Sequence, residues 1–354
     1  MIFNLNFALI LLEAAAFQKI STTKCKDVWK VFVGFSFVQL SLIASLRAST
    51  VGIDTPNYLE MFSNAQKGVS TFYIEWGSRL YILLLGQITQ DNNIFLAAWA
   101  IPTIALFYRY IVKNSKNIYL SVCIYASLMY YFLLFNMVRQ ALAIGIVLQA
   151  VEPLKKKKYI QYILIIFIAM LFHTSAAVFL LMLPINILKV RSNMSVFLLV
   201  AILCAVCVCV GKSIILFGAG LIGYEGYLNS GFAGEGNIFH PILFLLLLFV
   251  CTLLILCVNK KKAAQYRLEY DMFAVGVLFH WLSIPIQIVN RIPYYFTGSI
   301  LVLLPNLTEE MKNKNQARLV RIAVLAFLVI YELLMVKRSA QGVTPYKFFF
   351  MKGT

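Results

Sequence analysis

Residues 238–258 read IFHPILFLLLLFVCTLLILCV, a run that contains no acidic side chain, lysine or arginine. A helix needs about 20 predominantly apolar residues to cross the hydrocarbon core of a bilayer, and this run has that length. In the bilayer core the backbone N–H and C=O groups must bond within the segment, which favours a helix. The run is therefore predicted to be a transmembrane helix.

The rest of the chain has the same character. Of its 354 residues 61% are hydrophobic and only 13% are charged, with a mean hydropathy of +0.83, more apolar surface than a soluble domain can bury. We predict an all-α polytopic membrane protein, a single integral membrane domain over residues 1–354 with about 12 (11–13) transmembrane helices. The predicted apolar segments are 2–17, 29–46, 94–112, 118–135, 138–152, 159–172, 174–188, 194–218, 238–258, 270–289, 293–308 and 319–337.

Basic residues predict the orientation of these segments. The chain has 31 Lys and Arg against 14 Asp and Glu. Such an excess can indicate nucleic-acid binding, but in a membrane protein it is explained by cytoplasmic loops, so no nucleic-acid partner is expected. The basic clusters are Lys19–Lys30, Lys113/Lys116, Lys155–Lys158, Lys189/Arg191, Lys260–Lys262 and Lys312–Arg321. With these in the cytoplasm, two loops near 47–75 and 218–237 are predicted on the opposite face.

One segment breaks the alternation of crossings. Residues 76–90 read WGSRLYILLLGQITQ and would add an extra crossing. We favour a re-entrant or interfacial segment here. The alternative is that Lys113 and Lys116 lie outside the cell.

A set of ionisable residues remains on the non-cytoplasmic face or just within the membrane. Lysine dominates the cytoplasmic clusters, whereas arginine dominates this set. Arginine stays charged and presents a planar fork of donors that suits phosphate oxygens. Ionisable groups are costly at membrane depth, so each is a functional candidate. The set is Arg47, Asp54, Glu75, Arg79, Arg139, His173, His240 and Arg291.

Each candidate also has a structural explanation. Arg139 opens an apolar helix and either binds an anion or snorkels to the interface. His173 lies where two short apolar segments meet, as a general base or as a packing residue. Arg291 and the tyrosines after it are either functional or part of an interfacial belt. His280, beside a tryptophan within an apolar segment, is predicted to pack or to support other groups.

A lipid-linked diphosphate suits this combination of side chains. Arginines would hold the diphosphate and stabilise its charge as it leaves, while a His, Asp or Glu deprotonates an attacking hydroxyl. The aromatic side chains that could stack on sugars are Trp76, Tyr58, Tyr294 and Tyr295. The sequence has no Gly-rich phosphate loop and no HExxH motif, so no cofactor and no metal is predicted.

Four motifs in a fixed order carry a family resemblance. They are Arg47 followed by GIDTPNY at 52–58, YIEWG around Glu75, NMVRQALAIGI around Arg139, and LFHTSA around His173. Together they resemble the EpsG-type branch of the Wzy-like bacterial polysaccharide polymerases. The resemblance covers about residues 47–176, and the later half matches by hydropathy and by Arg291.

The resemblance implies a metal-independent glycosyltransferase of GT-C-like architecture in the bacterial cytoplasmic (inner) membrane. It would join oligosaccharide repeat units carried on undecaprenyl diphosphate into capsule, exopolysaccharide or O antigen, with its active site facing the periplasm or the exterior. Its expected partners are the lipid-linked oligosaccharide, membrane lipids, a flippase and a chain-length regulator of the same pathway.

Roles for individual residues follow as hypotheses. Arg139, supported by Arg47 and Arg291, is expected to bind the donor diphosphate. Asp54 and Glu75 are expected to orient sugar hydroxyls or the arginines, and His173 is the expected base. Tyr58 and Tyr294 are expected to line the substrate groove.

Other functions are compatible with the same charges. A flippase or transporter of lipid-linked oligosaccharide would also use arginines, but it predicts an internal repeat, and none is found. A membrane O-acyltransferase that modifies glycans would also use His173 as base. A structural subunit of an export complex is the third alternative. The sugar, the linkage and the anomeric outcome stay open.

Overall fold

The computed structural model describes five stretches of the chain. They are residues 2–23, 27–69, 74–188, 194–221 and 237–351. These residues form helices and connecting segments, and within them the one β-type pairing is an isolated antiparallel bridge between Arg47 and Phe348. The all-α fold class is therefore confirmed. Most of the predicted loop 218–237 lies outside the described residues.

The α-helices follow one another with short connections. They are α1 Ile2–Thr23, α2 Val28–Ser45, α3 Thr55–Gln66, α4 Trp76–Ile88, α5 Asn92–Asn114, α6 Ile118–Ser127, α7 Leu133–Asn136, α8 Val138–Leu148, α9 Val151–Lys155, α10 Tyr159–Phe172, α11 Met182–Leu188, α12 Met194–Leu221, α13 Phe239–Cys257, α14 Lys260–Ala263, α15 Arg267–Leu282, α16 Tyr294–Thr297, α17 Ile300–Glu310 and α18 Lys314–Lys337. Short 3₁₀ helices occupy Thr174–Leu181, Ala264–Tyr266, Gln287–Arg291 and Ala340–Gly342.

Several helices have the length and composition of membrane spans. Within the described residues, six are long and apolar enough to cross a bilayer: α1, α2, α5, α12, α13 and α18. Shorter apolar helical segments lie at Ile118–Ser127, Tyr159–Phe172 and Thr174–Leu188. The chain is thus a multi-pass membrane protein, whereas the count of about 12 crossings stays a prediction.

Several of the predicted crossings are broken. The apolar segment 118–135 is helical as far as Ser127 and again from Leu133, and between them Met129 takes a left-handed conformation with φ of 55°. A non-glycine residue in that region interrupts a helix because its Cβ crowds the backbone. Segment 138–152 likewise divides into α8 and α9.

The chain divides into two compact units. The first comprises Met1–Ala177 with Arg318–Thr354, and the second comprises Val178–Ala317. The prediction of a single integral membrane domain stays a prediction. Each unit is described by itself below.

In the first unit, the stretch predicted as a loop near 47–75 contains a helix. The prediction missed α3 because its sequence TPNYLEMFSNAQ is mostly polar. Its buried residues Tyr58, Leu59, Phe62 and Ala65 nevertheless recur at helical spacing. Helix α3 is therefore an amphipathic helix that packs one face on the unit.

Helix α4 follows α3 and packs against it. It has 13 residues and so is about 20 Å long, well short of the ~30 Å hydrocarbon core. This length supports a re-entrant or interfacial segment at 76–90. A contact between Lys113 Nζ and Glu152 Oε2, 3.4 Å apart, also joins Lys113 to the Lys155–Lys158 end of the unit, in agreement with a common side for both clusters.

An aromatic core joins the α3–α4 pair to α5, α8 and α10. The rings of Phe62 and Phe95 stack with centroids 4.4 Å apart, and Tyr81 meets Trp99 edge-on at 4.8 Å. Phe172, the last residue of α10, contacts Trp99 with centroids 6.4 Å apart. The same cluster includes Val138 at the start of α8. This core packs α3, α4 and α8 together, and the site described below lies at the first turns of these helices.

The turn before α3 depends on a glycine. Gly52 has φ of +94°, and its N–H donates to Gly342 O at 2.9 Å. A Cβ at this position would lie 1.9 Å from Phe135 O. Only glycine allows both this conformation and this close approach. The turn therefore ties the start of α3 to the C-terminal segment.

In the second unit, α15 packs against α12, α13 and α16. His280 on α15 is fully buried, and its ring stacks on Phe244 with centroids 4.3 Å apart. This position agrees with the prediction that His280 packs or supports other groups.

Candidate functional site

Glu75 joins two of the predicted site residues in the first unit. Its Oε1 lies 2.8 Å from His173 Nδ1, and its Oε2 accepts a hydrogen bond from Arg139 Nη1. The backbone N–H of Thr174 also donates to Oε1 at 3.2 Å. Only 11% of the Glu75 side chain is exposed, against 19% for His173 and 21% for Arg139. Residues 64 to 98 positions apart in the sequence thus form one half-buried cluster.

Two small residues let Glu75 approach His173. Gly77 lies in the first turn of α4, where a Cβ would be only 2.7 Å from both the Cβ and the carbonyl oxygen of Leu171. Ser78 Oγ donates to the carbonyl of Phe172 at 2.9 Å. The start of α4 therefore lies directly against the end of α10. Since α10 ends where His173 becomes extended, the imidazole meets the carboxylate that precedes α4.

Arg139 lies in the first turn of α8. Its Nε donates to the hydroxyl of Tyr58 at 3.4 Å, and Nη1 donates to Glu75. Nη2 donates to no residue in the part of the chain that the structure describes, so its N–H groups are available to a ligand. The positive end of the α8 dipole and the guanidinium lie together, an arrangement that favours an anion.

The charge on Glu75 determines which nitrogen of His173 is free. Burial alone raises the pKa of the Glu75 carboxyl, but the hydrogen bond with His173 and the charge of Arg139 outweigh burial and lower that pKa to about 2. An ionised carboxylate can only accept hydrogen bonds, so Nδ1 of His173 must carry the hydrogen between them. The neutral imidazole therefore keeps its lone pair on Nε2, the arrangement of a general base.

Asp54 lies next to this cluster, at the N-cap of α3. Its backbone N–H donates to Asn136 Oδ1 at 3.1 Å, which links the start of α3 to the segment before α8. Tyr58 follows one helical turn later, and its N–H donates to Asp54 O at 3.2 Å. A turn of four residues advances about 6 Å, so Asp54 is one turn from the residue that contacts Arg139.

Arg47 has an internal position rather than the ligand-facing one that was predicted. Its side chain is buried, with Nη1 donating to Ala44 O, Nη2 to Leu134 O at 3.4 Å, and the guanidinium 5.0 Å from the centroid of the Phe135 ring. Burial lowers the pKa of Arg47 to about 10, so it remains charged at neutral pH. Because carbonyls and an aromatic face already engage both terminal nitrogens of this guanidinium, we interpret Arg47 as a structural residue.

Arg291 and Tyr294 belong to the second unit. Arg291 ends a 3₁₀ helix, and Tyr294 begins α16. Tyr294 is 2% exposed and meets the edge of the His280 ring at 5.6 Å, while Tyr295 is fully buried. Buried rings offer no face to a sugar, which argues against the predicted contacts of these two tyrosines. The role of Arg291 stays a prediction.

Two further residues that the sequence analysis singled out lie on α4 close to Glu75. Trp76 follows Glu75 directly and is 66% exposed, so its ring is open to a sugar. Arg79 lies four residues after Glu75, on the same face of α4, and its partly exposed side chain makes no hydrogen bond or ion pair within the described residues. The four-residue spacing between Glu75 and Arg79 is the signal that could have linked Arg79 to this cluster. Among the described residues, no group of three or more His, Cys, Asp or Glu could hold a metal ion.

The fold and this cluster define a multi-pass membrane protein with an arginine, a carboxylate and an imidazole in contact. The family model of the EpsG family matches residues 30–348, and the chain belongs to that family. Membership associates it with polysaccharide biosynthesis. Comparison with curated proteins and with solved structures gave no match.

Proposed function

We propose that this protein polymerises oligosaccharide repeat units linked to undecaprenyl diphosphate, on the outer face of the bacterial cytoplasmic membrane. The observation that supports this proposal most directly is that the Glu75 carboxylate bridges Arg139 and His173. One member of this cluster can hold an anion and another can accept a proton. Family membership supports the assignment to polysaccharide synthesis.

The proposed reaction is a glycosyl transfer. A sugar hydroxyl at the non-reducing end of one lipid-linked unit attacks the anomeric carbon of the growing chain. The new glycosidic C–O bond forms as the bond from that carbon to the diphosphate breaks. Undecaprenyl diphosphate leaves with the electron pair, and the hydroxyl proton moves to the base.

Arg139 is the proposed ligand of the leaving diphosphate. Its Nη2 group keeps its donors while Nη1 and Nε hold Glu75 and Tyr58, so the guanidinium is both oriented and available. A preoriented cation stabilises the developing charge without reorganising during the reaction. Arg79, one turn along α4 from Glu75, is a second cation for the same diphosphate, and Arg291 remains a proposed third.

His173 is the proposed general base, through Nε2. Glu75 holds Nδ1 at 2.8 Å, which fixes both the tautomer and the orientation of the ring. Asp54 and Tyr58 are proposed to line the acceptor side, and exposed Trp76 offers a stacking surface to a sugar ring.

The outward orientation rests on the helices of the first unit. Helix α10 begins after the Lys155–Lys158 run and ends at His173, and its 14 residues span about 21 Å. Lysine runs favour the cytoplasmic side. The cluster at the other end of α10 is therefore proposed to face the periplasm or the exterior. A GT-C-like architecture and about 12 crossings belong to the same proposal.

Two substitutions test the site in cells whose chromosomal copy has been deleted. Arg139→Ala removes the diphosphate ligand. In His173→Asn the amide nitrogen can still donate to Glu75, but Nε2 is lost. Both variants are expected to leave single repeat units on the cell surface and no long polymer, as measured by gel analysis of surface glycan at equal protein levels. Arg318→Ala, at an exposed arginine of the same unit, should give normal polymer.

Other results would identify other functions. A flippase predicts that the Arg139→Ala cells carry no repeat units outside at all. An O-acyltransferase predicts full-length polymer that lacks acyl groups. Normal polymer from His173→Asn would refute the base assignment, even if Arg139→Ala still lost activity.

A further inference from the structure

A basic cavity lies at the end of the first unit where α10 begins. Its volume is about 270 Å³, and it opens between the end of α5, the α8–α9 segment and the first turns of α10. Four cations line it, Arg109, Lys113, Lys156 and Lys158, against one acid, Glu152. The lining therefore carries a net charge of +3.

The charge of Glu152 is already engaged. Its Oε1 lies 2.6 Å from Lys156 Nζ and its Oε2 3.4 Å from Lys113 Nζ. The hydrogen bond with Lys156 also lowers the pKa of Glu152, so it stays ionised and acts as the counter-ion of these two lysines. The side chains of Arg109 and Lys158 have no hydrogen-bond or ionic partner within the described residues. Two cations that line the cavity are thus left for an external anion.

The first turn of α10 contributes further positive potential. Helix α10 begins after Lys158, without a side-chain cap on its N–H groups, and Gln161 of its first turn lines the cavity. Uncapped N–H groups and the positive end of the helix dipole favour an anion, phosphate in particular. They act here together with the two available cations.

The surroundings of the cavity are those of a membrane surface. The apolar part of the cavity lining consists of Leu148, Pro153 and Ile165. Along α10, Ile160, Leu164 and Phe167 are 79%, 57% and 57% exposed, which leaves an apolar face beside the cavity for hydrocarbon chains. Small-molecule sites usually measure about 300–1,000 Å³, so 270 Å³ suits a phosphate with a small polar head and excludes a whole lipid.

We propose that this cavity binds the headgroup of an anionic phospholipid, with its phosphate between Arg109 and Lys158 and its acyl chains along the apolar face of α10. Basic pockets beside transmembrane helices are suited to such headgroups. This site is separate from the proposed catalytic cluster, which lies at the opposite end of α10, about 21 Å away. It does not depend on the proposed function.

The test uses the purified full chain in detergent, titrated with phosphatidylglycerol and followed by native mass spectrometry. Phosphatidylcholine is the zwitterionic reference and inorganic phosphate is the soluble anion. Each cation near an anionic headgroup contributes about a factor of five, so Arg109→Gln with Lys158→Gln should weaken binding of phosphatidylglycerol about 25-fold. Lys155→Gln with Lys157→Gln removes the same charge at side chains that do not line the cavity, and should leave the affinity within about threefold because charges farther from the bound headgroup are screened.

Gln161→Trp provides a variant with unchanged charge. The indole would fill the mouth of the cavity and should weaken phosphatidylglycerol binding while the chain stays folded, since Gln161 is exposed. Equal losses in the two double variants would overturn the proposal in favour of general attraction to the lysine loop. Inorganic phosphate that competes as well as the lipid would overturn the assignment to a lipid headgroup. Binding of phosphatidylcholine as tightly as phosphatidylglycerol would overturn the role of the two cations.

Discussion

Glu75 and Glu152 are two glutamates of the first unit that each bridge two basic side chains. Glu75 joins Arg139 to His173, and Glu152 joins Lys113 to Lys156. The side chain of Glu75 is 11% exposed, whereas that of Glu152 is 41% exposed. The same motif of one acid between two bases thus occurs once in a half-buried cluster and once at a solvated surface.

The difference between Glu75 and Glu152 indicates that burial and the type of partner, rather than the presence of an ion pair, distinguish the functional cluster. Exposed lysine–carboxylate pairs contribute about 0–1 kcal/mol because water and salt screen them and the long side chains lose entropy. Breaking a buried pair by removing one partner costs about 3–5 kcal/mol, because the other charge is left without compensation. A lysine ammonium holds a point charge, whereas the fork of Arg139 and the ring of His173 are held in defined orientations.

The largest expected contrast comes from removing one charge at each end of the unit. Glu75→Gln keeps a hydrogen-bond acceptor but no longer fixes the tautomer of His173 or balances Arg139. Since general-base catalysis contributes about 10²–10⁴ in rate, we expect long polymer to disappear and single repeat units to accumulate. Glu152→Gln breaks only exposed pairs, and polymer length should be normal.

Surface glycan measured at equal protein levels in both strains decides this comparison. If Glu75→Gln and Glu152→Gln give the same polymer, the half-buried cluster has no special role in the activity. Thermal unfolding in detergent serves as the control, since Glu152→Gln should change the free energy of unfolding by no more than about 1 kcal/mol.

Much of the candidate site followed from the order of motifs in the sequence. The cluster of Glu75, Arg139 and His173 joins three of the four motif regions, and Tyr58 brings in the region around GIDTPNY. Charges in an apolar chain are conspicuous because they are costly there. The sequence therefore allowed us to predict that these charged groups belong to one site, but not the distances between them.

The residues whose placement departs from the sequence reasoning share a physical reason. Arg47 and Tyr294 have side chains whose chemistry suits a ligand, but the fold turns both inward. A charge pattern cannot distinguish a guanidinium that faces substrate from one that donates to buried carbonyls beside a ring. Helix α3 was missed because only one of its faces is buried and its mean hydropathy is low, so the search for long apolar runs passed over it.

The second largest expected effect comes from Gly77, where α4 contacts α10. A substitution here changes the geometry of the site rather than its charge. Gly77→Ala places a Cβ 2.7 Å from Leu171, so α4 must move away from α10. Overpacking of this kind costs about 1–3 kcal/mol. A displacement of about 1 Å between reacting groups can cost about 100-fold in rate, so polymer yield should fall strongly.

Gly34→Ala is the matched control for that substitution, because a Cβ on Gly34 of α2 meets nothing within 4 Å. Alanine favours a helix over glycine by about 0.5–1 kcal/mol, so this variant should be as stable as the wild type or more so. The two variants are thus expected to shift the unfolding temperature in opposite directions. If both variants have a lower unfolding temperature than the wild type, the loss at Gly77 cannot be assigned to the close approach of α4 to α10.

The smallest expected effect separates the site from the core that supports it. Tyr58→Phe removes the hydroxyl that accepts from Arg139 Nε at 3.4 Å, a long hydrogen bond worth about 1 kcal/mol, or about fivefold in rate. Tyr81→Phe makes the same chemical change in the same aromatic core, but the lost bond is the 2.6 Å one to Ala98 O. Tyr81→Phe should therefore lower stability at least as much as Tyr58→Phe while leaving polymer length normal. Initial rates of polymer formation in membranes, measured together with unfolding temperatures, test this prediction. If Tyr81→Phe loses more activity than Tyr58→Phe, the activity depends on the packing of α4 rather than on the orientation of Arg139.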